Sequence, residues 1–268
     1  MDSFYLIAFV LIGVIAGLLA GLFGIGGGAI IVPALILLFT GMGEAHGMTA
    51  DWIPHLAVAT SLATVVGSGS ASAWTHHRRG AVQWPMFASL VPGLLIGAAL
   101  GASFAPWLPA IWLQRLFALF LLYNGVRMLF ATTVTAMRPL PSTLRIGAAA
   151  SGIGALSALV GIGGGILIVP FLARHGVAIQ RAVATSSACG VPLAIAGSIG
   201  FMLGGLGRDA LPTLSVGFIY WPAALAIMLA SVPMATVGAR LAHRLPTATL
   251  KRFFGVLLLG VGLRLLVG

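Results

Sequence analysis

The sequence has very few acidic residues and little charge of any kind. Only four of its 268 residues are Asp or Glu, and charged residues make up 7% of the chain against 60% hydrophobic residues. A soluble globular protein has about 25% charged residues, so this composition excludes that class and is typical of an integral membrane protein. Because a span takes roughly 20 apolar residues, the length allows at most about ten spans and no soluble domain.

Other absences narrow the function. The single cysteine, Cys189, excludes an intramolecular disulfide and any metal site built on cysteines. No acid lies inside an apolar segment, where carboxylates usually serve as proton relays. The chain has no G-x-S-x-G element and no P-loop, so it gives no basis for an enzyme or for ATP-driven transport. We expect no cofactor and no metal, and we interpret the net charge of +10 as topology signals rather than a nucleic-acid surface.

The sequence contains an internal repeat with an interval of 137 residues. A Gly-Ile-Gly-Gly-Gly element followed by Ile-Val-Pro occurs at 24–33 and again at 161–170. An Ala-Val-Ala-Thr-Ser element occurs at 57–61 and at 182–186, an interval of 125 residues, because a longer loop precedes it in the first half. We therefore divide the chain into two homologous halves, residues 1–138 and 139–268, which together form one integral membrane domain.

The predicted fold class is an all-α polytopic membrane protein with two repeats of about five hydrophobic segments each. The segments are 4–22, 25–39, 55–74, 84–104 and 113–130 in the first half, and 146–160, 162–173, 182–203, 218–241 and 253–267 in the second. As one helix, residues 4–39 would be about 54 Å long, too long for one crossing of a core about 30 Å thick. The first two segments of each repeat are therefore short or re-entrant, broken at the glycines.

The basic residues predict the topology. If each broken pair returns to the side on which it started, nine basic residues fall on one side of the membrane, with Arg208 alone opposite them. The nine are Arg78, Arg79, Arg138, Arg145, Arg174, Arg181, Arg244, Lys251 and Arg252. The four acids, Asp2, Glu44, Asp51 and Asp209, fall on the side of Arg208. If each pair crossed once instead, the basic residues would divide equally, so the positive-inside rule favours the first count, with inverted repeats and both termini periplasmic.

The repeated glycine element is the candidate substrate site. Transporters built from inverted repeats with broken helices bind their substrates near the midplane, between the repeats. Glycines let a ligand approach the backbone, and helices starting at Ala29 and Ile166 would direct free N–H groups towards an anion. Hydroxyls of the Ala-Val-Ala-Thr-Ser element would add hydrogen bonds. The predicted substrate-binding residues are Gly24, Gly26, Gly27, Gly28, Thr60, Ser61, Gly161, Gly163, Gly164, Gly165, Thr185 and Ser186.

Each of these elements also has a purely structural alternative. The glycines would then serve only close helix packing, and the hydroxyls would bond to carbonyls of their own helices. Arg127 and Arg264 lie near the ends of their segments, where their side chains would reach the headgroups. His55 is interpreted as an interfacial residue and Cys189 as ordinary packing.

The sequence resembles the sulfite exporter TauE/SafE family of bacterial membrane permeases in three motifs. They are the doubled G-x-G-G-G followed by a hydrophobic residue and Pro, the two A-x-A-T-S elements, and the closing motif Leu-Lys-Arg-x-Phe-Gly at 250–255. The first half departs from this close, since residues 113–117 lack its Lys and Gly. The resemblance covers essentially the whole chain. It implies transport of small sulfur-containing anions such as sulfite or organosulfonates across the inner membrane, mostly outward, from a family with diverse substrates.

The leading hypothesis is therefore a secondary transporter that exports such anions. The alternatives are a passive anion channel built from the same re-entrant helices and a non-transporting membrane assembly protein. The expected partners are a small anionic substrate and membrane lipids, with no nucleic acid, and the sequence indicates no oligomeric state.

The charge distribution makes a direct prediction about topology. We expect a twofold axis in the membrane plane to relate the two halves, with both termini in the periplasm. A reporter enzyme that is active only in the periplasm should be active when fused after residue 268. The same reporter inserted after Arg79 should be inactive and serves as the control. Activity only at Arg79 would contradict the topology.

Overall fold

The computed structural model describes residues 3–24, 26–43, 46–130, 142–208, 211–241 and 247–267, with only the backbone for 247–254 and 267. Within these ranges the chain forms ten α-helices and one short β-hairpin, so the predicted all-α polytopic class is confirmed. The helices are α1 (Ser3–Phe23), α2 (Gly28–Met42), α3 (Ile53–His77), α4 (Trp84–Phe104), α5 (Ala110–Phe130), α6 (Thr143–Val160), α7 (Gly165–Arg174), α8 (Ile179–Gly205), α9 (Trp221–Leu241) and α10 (Thr247–Val267). The hairpin pairs β1 (Ser215–Val216) with β2 (Ile219–Tyr220).

Some of the sequence predictions fall outside this description. The boundary between residues 138 and 139 lies outside the described residues, and so do Arg138, Arg244 and the acids Asp2, Glu44 and Asp209. The division into two halves and its charge count therefore stay predictions.

Within the described ranges, six helices are long and apolar enough to cross a membrane: α1, α3, α4 with the 3-10 turn that follows it, α6, α8 and α9. By contrast, α2 and α7 have 15 and 10 residues, or about 22 Å and 15 Å, which is shorter than a core about 30 Å thick. In each broken pair, therefore, only the second helix, α2 or α7, is shorter than the membrane core. The sequence underestimated α6, which has 18 residues because it begins at Thr143 rather than Ile146.

The first broken pair forms a hairpin. The Tyr5 hydroxyl donates to the carbonyl of Gly41 over 3.2 Å, and the rings of Phe9 and Phe39 lie edge to face at 6.4 Å. The end of α2 therefore lies beside the start of α1. The first pair therefore folds back on itself, and its return to the starting side of a membrane stays a prediction.

The two halves are interlaced. Helix α1 packs along α9 and α4 packs along α6, while α3 packs on α8 and α5 on α10. If equivalent helices are exchanged, the α1–α9 contact becomes the α6–α4 contact, and the α3–α8 and α5–α10 contacts become themselves. The main packing partner of α1, and likewise that of α6, belongs to the other half.

Glycines at every fourth position allow the closest of these contacts. On α1, Gly13 lies against Ile227 and Gly17 against Ser231 of α9, where a Cβ would run into the α9 backbone. Helix α4 uses Gly93, Gly97 and Gly101 in the same way against α6. Small residues with this spacing let helices approach backbone to backbone in a membrane bundle. Since the residue numbers rise together along both helices, α1 runs parallel to α9.

The equivalent helices α5 and α10 run in opposite directions. On α10, Gly255 lies against Gly125 and Leu129 of α5, whereas Gly262 lies against Leu122 and Ala118. Along this contact the residue numbers rise on α10 and fall on α5, so the two helices are antiparallel. Such antiparallel contacts are those that inverted repeats require, and the inverted relation across a bilayer stays a prediction.

Candidate functional site

The two glycine loops, residues 24–28 and 161–165, meet in the middle of the bundle. A Cβ built on Gly26 would lie 3.2 Å from the Cα of Gly163, and Gly28 lies against the carbonyl of Gly161. Val65 contacts both loops and is the central residue of the 25-residue α3. We call this meeting point the glycine crossing. It lies halfway along α3, which is consistent with a site at the membrane midplane.

The short helices begin at the glycine crossing. Helix α2 starts at Gly28 and α7 at Gly165, each one residue earlier than expected. The preceding residues, Gly27 and Gly164, have φ angles of 76° and 74°, a left-handed conformation that glycine adopts without strain. First-turn N–H groups have no acceptor within their own helix, and the positive end of the dipole lies there. The crossing thus has the features of an anion site, and binding itself stays a prediction.

The repeated serines tie the loops to the opposite half. The Ser61 hydroxyl donates to the carbonyl of Gly161 over 2.8 Å, and the Ser186 hydroxyl donates to the carbonyl of Gly24 over 3.2 Å. Both serines are fully buried. Each hydroxyl donates its single proton to a carbonyl of a glycine loop, and this bond fixes the position of that loop. While the bond holds, the hydroxyl cannot donate to an anion.

The repeated threonines also bridge the halves. The Thr60 hydroxyl accepts the backbone N–H of Tyr220 over 3.1 Å, and the Thr185 hydroxyl accepts that of Gln83 over 3.0 Å. Tyr220 and Gln83 occupy equivalent positions, directly before α9 and α4. The alternative that these hydroxyls bond to their own helices therefore describes none of the four.

A small cavity lies beside the glycine crossing. Its lining residues are Ala20, Gly24, Gly26, Val65, Gly69, Ser72, Gly163, Ser187 and Gly190. The space open to the centre of a water molecule is about 10 Å³, enough for about one water. An oxyanion with three oxygens is larger than that, so its binding requires the helices around the crossing to move apart.

Two serines in this lining are absent from the predicted site. Ser72 and Ser187 face each other with their hydroxyl oxygens 3.2 Å apart. Ser187 directly follows the second Ala-Val-Ala-Thr-Ser element, which was its only signal in the sequence. Ser72 belongs to no repeated element, so a search for repeats passes over it.

His55 lies in the first turn of α3, and its predicted position at the membrane edge stays a prediction. Its ring is fully buried, its Nε2 lies 3.1 Å from the carbonyl oxygen of Ala105, and it packs between Trp52 and Phe218. Cys189 is a buried free thiol, in agreement with a packing role. Among the described residues, no cluster of three or more His, Cys, Asp or Glu side chains is placed to hold a metal ion.

Comparison with known proteins gives one consistent result. The family described as "Sulfite exporter TauE/SafE" matches residues 9–265. A "Probable membrane transporter protein" of Haemophilus influenzae is 35% identical, over 99% of both chains. A protein of the same description from Methanocaldococcus jannaschii is 27% identical, over 96% of this chain and 94% of its own. No solved structure matches the chain.

The cross-links make a prediction about stability. Ser61→Ala leaves the buried carbonyl of Gly161 without this donor, which should cost about 1–3 kcal/mol and lower the midpoint of thermal unfolding in detergent. Ser186→Ala should act similarly through Gly24. Ser70→Ala is the matched control, because Ser70 is exposed and bonds to the Val66 carbonyl of its own helix. Equal midpoints for Ser61→Ala and Ser70→Ala would show that the cross-link does not hold the loop.

Proposed function

The chain belongs to the sulfite exporter TauE/SafE family, and from that premise we propose that it is a secondary transporter that exports small sulfur-containing anions across the bacterial inner membrane. Sulfite and organosulfonates are the proposed substrates. The observation that supports this proposal most is the glycine crossing, where two helix starts and two glycine loops meet halfway along α3.

The proposed binding groups are backbone amides. Gly26, Gly27, Gly28, Gly163 and Gly165 would present their N–H groups to the anion, whereas the N–H of Gly164 donates to the carbonyl of Ile162 over 2.8 Å and shapes the loop. Helix dipoles and amides bind an anion without a charged side chain, and no Asp or Glu occurs within the ten helices to repel it. Gly24, Gly161, Thr60, Ser61, Thr185 and Ser186 would position these loops, since they take part in the hydrogen bonds that join the halves.

The contact between the loops favours a carrier over a passive channel. A Cβ on Gly26 would lie only 3.2 Å from the Cα of Gly163, and the adjoining cavity has room for about one water. A channel needs a continuous path for the ion, whereas a carrier opens its site to one side at a time. The proposed cycle therefore separates the crossing first towards the cytoplasm and then towards the periplasm.

Export of an anion needs no coupled proton. An anion that leaves the cytoplasm moves down the membrane potential and gains about 2.3 kcal/mol per charge for every 100 mV. At about 1.4 kcal/mol per tenfold ratio, this gain sustains roughly a fortyfold gradient of a monovalent anion. The absence of acids from the helices is consistent with such uncoupled, voltage-driven export.

We expect the flux of sulfite or sulfoacetate through the purified protein in liposomes to follow the membrane voltage. It should also saturate with substrate and show counterflow, as a carrier does. The measurement clamps voltage and pH gradient independently, with protein-free liposomes as the control. Flux that ignores voltage and reverses with the pH gradient would instead indicate proton coupling, and flux that never saturates would indicate a channel.

A further inference from the structure

The two halves differ in the hydroxyl groups that they place beside the glycine crossing. In the repeat interval of 125 residues, Ser72 of α3 corresponds to Gly197 of α8, and Ser187 of α8 corresponds to Leu62 of α3. Gly26 and Gly163 are equivalent, and so are Ser61 and Ser186, whereas Val65 corresponds to Gly190 and Gly69 to Ala194. The serine differences give the two sides of the crossing different polarity.

The side with Ser72 and Ser187 is polar and has the cavity. The Ser72 hydroxyl donates to the Ser187 hydroxyl over 3.2 Å, and Ser187 donates to the carbonyl of Val183 over 3.0 Å. Because the acceptor of Ser72 is another hydroxyl, its proton can turn to an oxyanion without breaking a bond to the backbone. Ser68, one turn earlier, instead donates to the Thr64 carbonyl of its own helix.

The opposite side is closed by an apolar side chain. Leu62 is fully buried, and its Cδ1 lies 2.9 Å from where a Cβ of Gly197 would stand. Leu62 therefore occupies the space that corresponds to the cavity on the other side. Gly197 leaves room for it, and neither residue offers a hydrogen bond from its side chain.

The basic residues indicate which side is which. Ser72 lies six residues before Arg78, and Ser187 lies six residues after Arg181. Leu62 and Gly197 lie on the other side of the crossing, in the parts of α3 and α8 nearer to Asp51 and Arg208. By the positive-inside rule, the cavity faces the cytoplasm and Leu62 faces the periplasm.

We infer that Ser72 and Ser187 form the cytoplasmic entry subsite for an oxyanion, and that Leu62 seated at Gly197 is the plug on the periplasmic side. The inference rests on the proposed transport through the glycine crossing. The ligand class is a small anion with several acceptor oxygens, as in sulfite and sulfonates. The Ser72 proton can turn to one of these oxygens, and Ser187 donates to another once it gives up its bond to the Val183 carbonyl. Release to the periplasm requires Leu62 to leave Gly197.

Binding at the subsite is testable without transport. Gly69 lines the cavity, and a Cβ there would make only ordinary contacts, the nearest at 3.5 Å to Val191. A Gly69→Cys variant in a Cys189→Ala background should react with a membrane-impermeant maleimide from the cytoplasmic face. Sulfoacetate should slow this reaction. The addition of Ser72→Ala and Ser187→Ala should raise the sulfoacetate concentration for half protection about tenfold or more, since hydrogen bonds to a charged group are lost.

The matched control is Ser68→Ala in the same background, which should leave the protection unchanged. Protection that survives the loss of both serines would overturn the subsite, and so would reaction from the periplasmic face alone or an absence of protection by sulfoacetate. Serine-dependent protection in a protein that moves no anion would leave the subsite standing and defeat the proposed transport. Saturable flux together with protection that does not depend on the serines would support the proposed transport and overturn the subsite.

The plug has a separate test. Leu62→Ala should add a leak of sulfoacetate that does not saturate, because the space at Gly197 is then open. Leu90→Ala is the matched control, since Leu90 is equally buried but lies on α4. Both variants should lose similar stability from the cavity that each creates. A leak in Leu62→Ala alone supports the plug, whereas saturable flux like that of the unchanged protein, or an equal leak in both variants, would overturn it.

Discussion

The contact between Gly26 and Gly163 is the constraint on which the rest of the structure depends. A Cβ on Gly26 would crowd the Cα of Gly163 at 3.2 Å, and a Cβ on Gly163 would crowd Val65 at 2.8 Å. The interlaced packing of α1 on α9 and of α4 on α6 carries each loop to the centre of the bundle. Ser61 and Ser186 then fix each loop to the opposite half. The serines thus make the crossing a property of the whole chain rather than of either repeat.

The sequence was sufficient to predict the fold class and the pairing of the loops, because both are encoded by repeated residues. The doubled glycine element and the basic loops marked the broken helices, and α4 was predicted with the bounds that it has in the structure. The start of α6 was missed, since Thr143 and Arg145 made its first turn too polar for a hydrophobicity criterion. The burial of His55 was missed because its neighbours Trp52 and Phe218 come together only in the tertiary structure.

The role of the hydroxyls could not be predicted from spacing. Because Thr60 and Ser61 recur as Thr185 and Ser186, the sequence indicated that these hydroxyls have a role. Repetition does not tell a ligand contact from a structural cross-link, however, since both would recur in the two halves. Hydrogen-bond partners distinguish the two, and those partners lie more than 100 residues away for Thr60, Ser186 and Thr185. A repeat-based search is also blind to Ser72, since its repeat partner is a glycine. This difference makes the two sides of the crossing unlike, whereas the direction of net flux follows the driving gradient.

The most direct test of the glycine crossing as the route of the anion is the rate of sulfoacetate transport by Gly163→Ala. Gly163 lies outside the left-handed region that makes Gly27 and Gly164 intolerant of any side chain, and its added Cβ would lie 2.8 Å from Val65 Cγ1. Crowding of this kind should slow transport about tenfold, and Val65→Ala in the same chain should restore part of the rate. Gly152→Ala, which adds its Cβ in open space on α6, should change nothing. Transport by Gly163→Ala at the rate of Gly152→Ala would contradict the account.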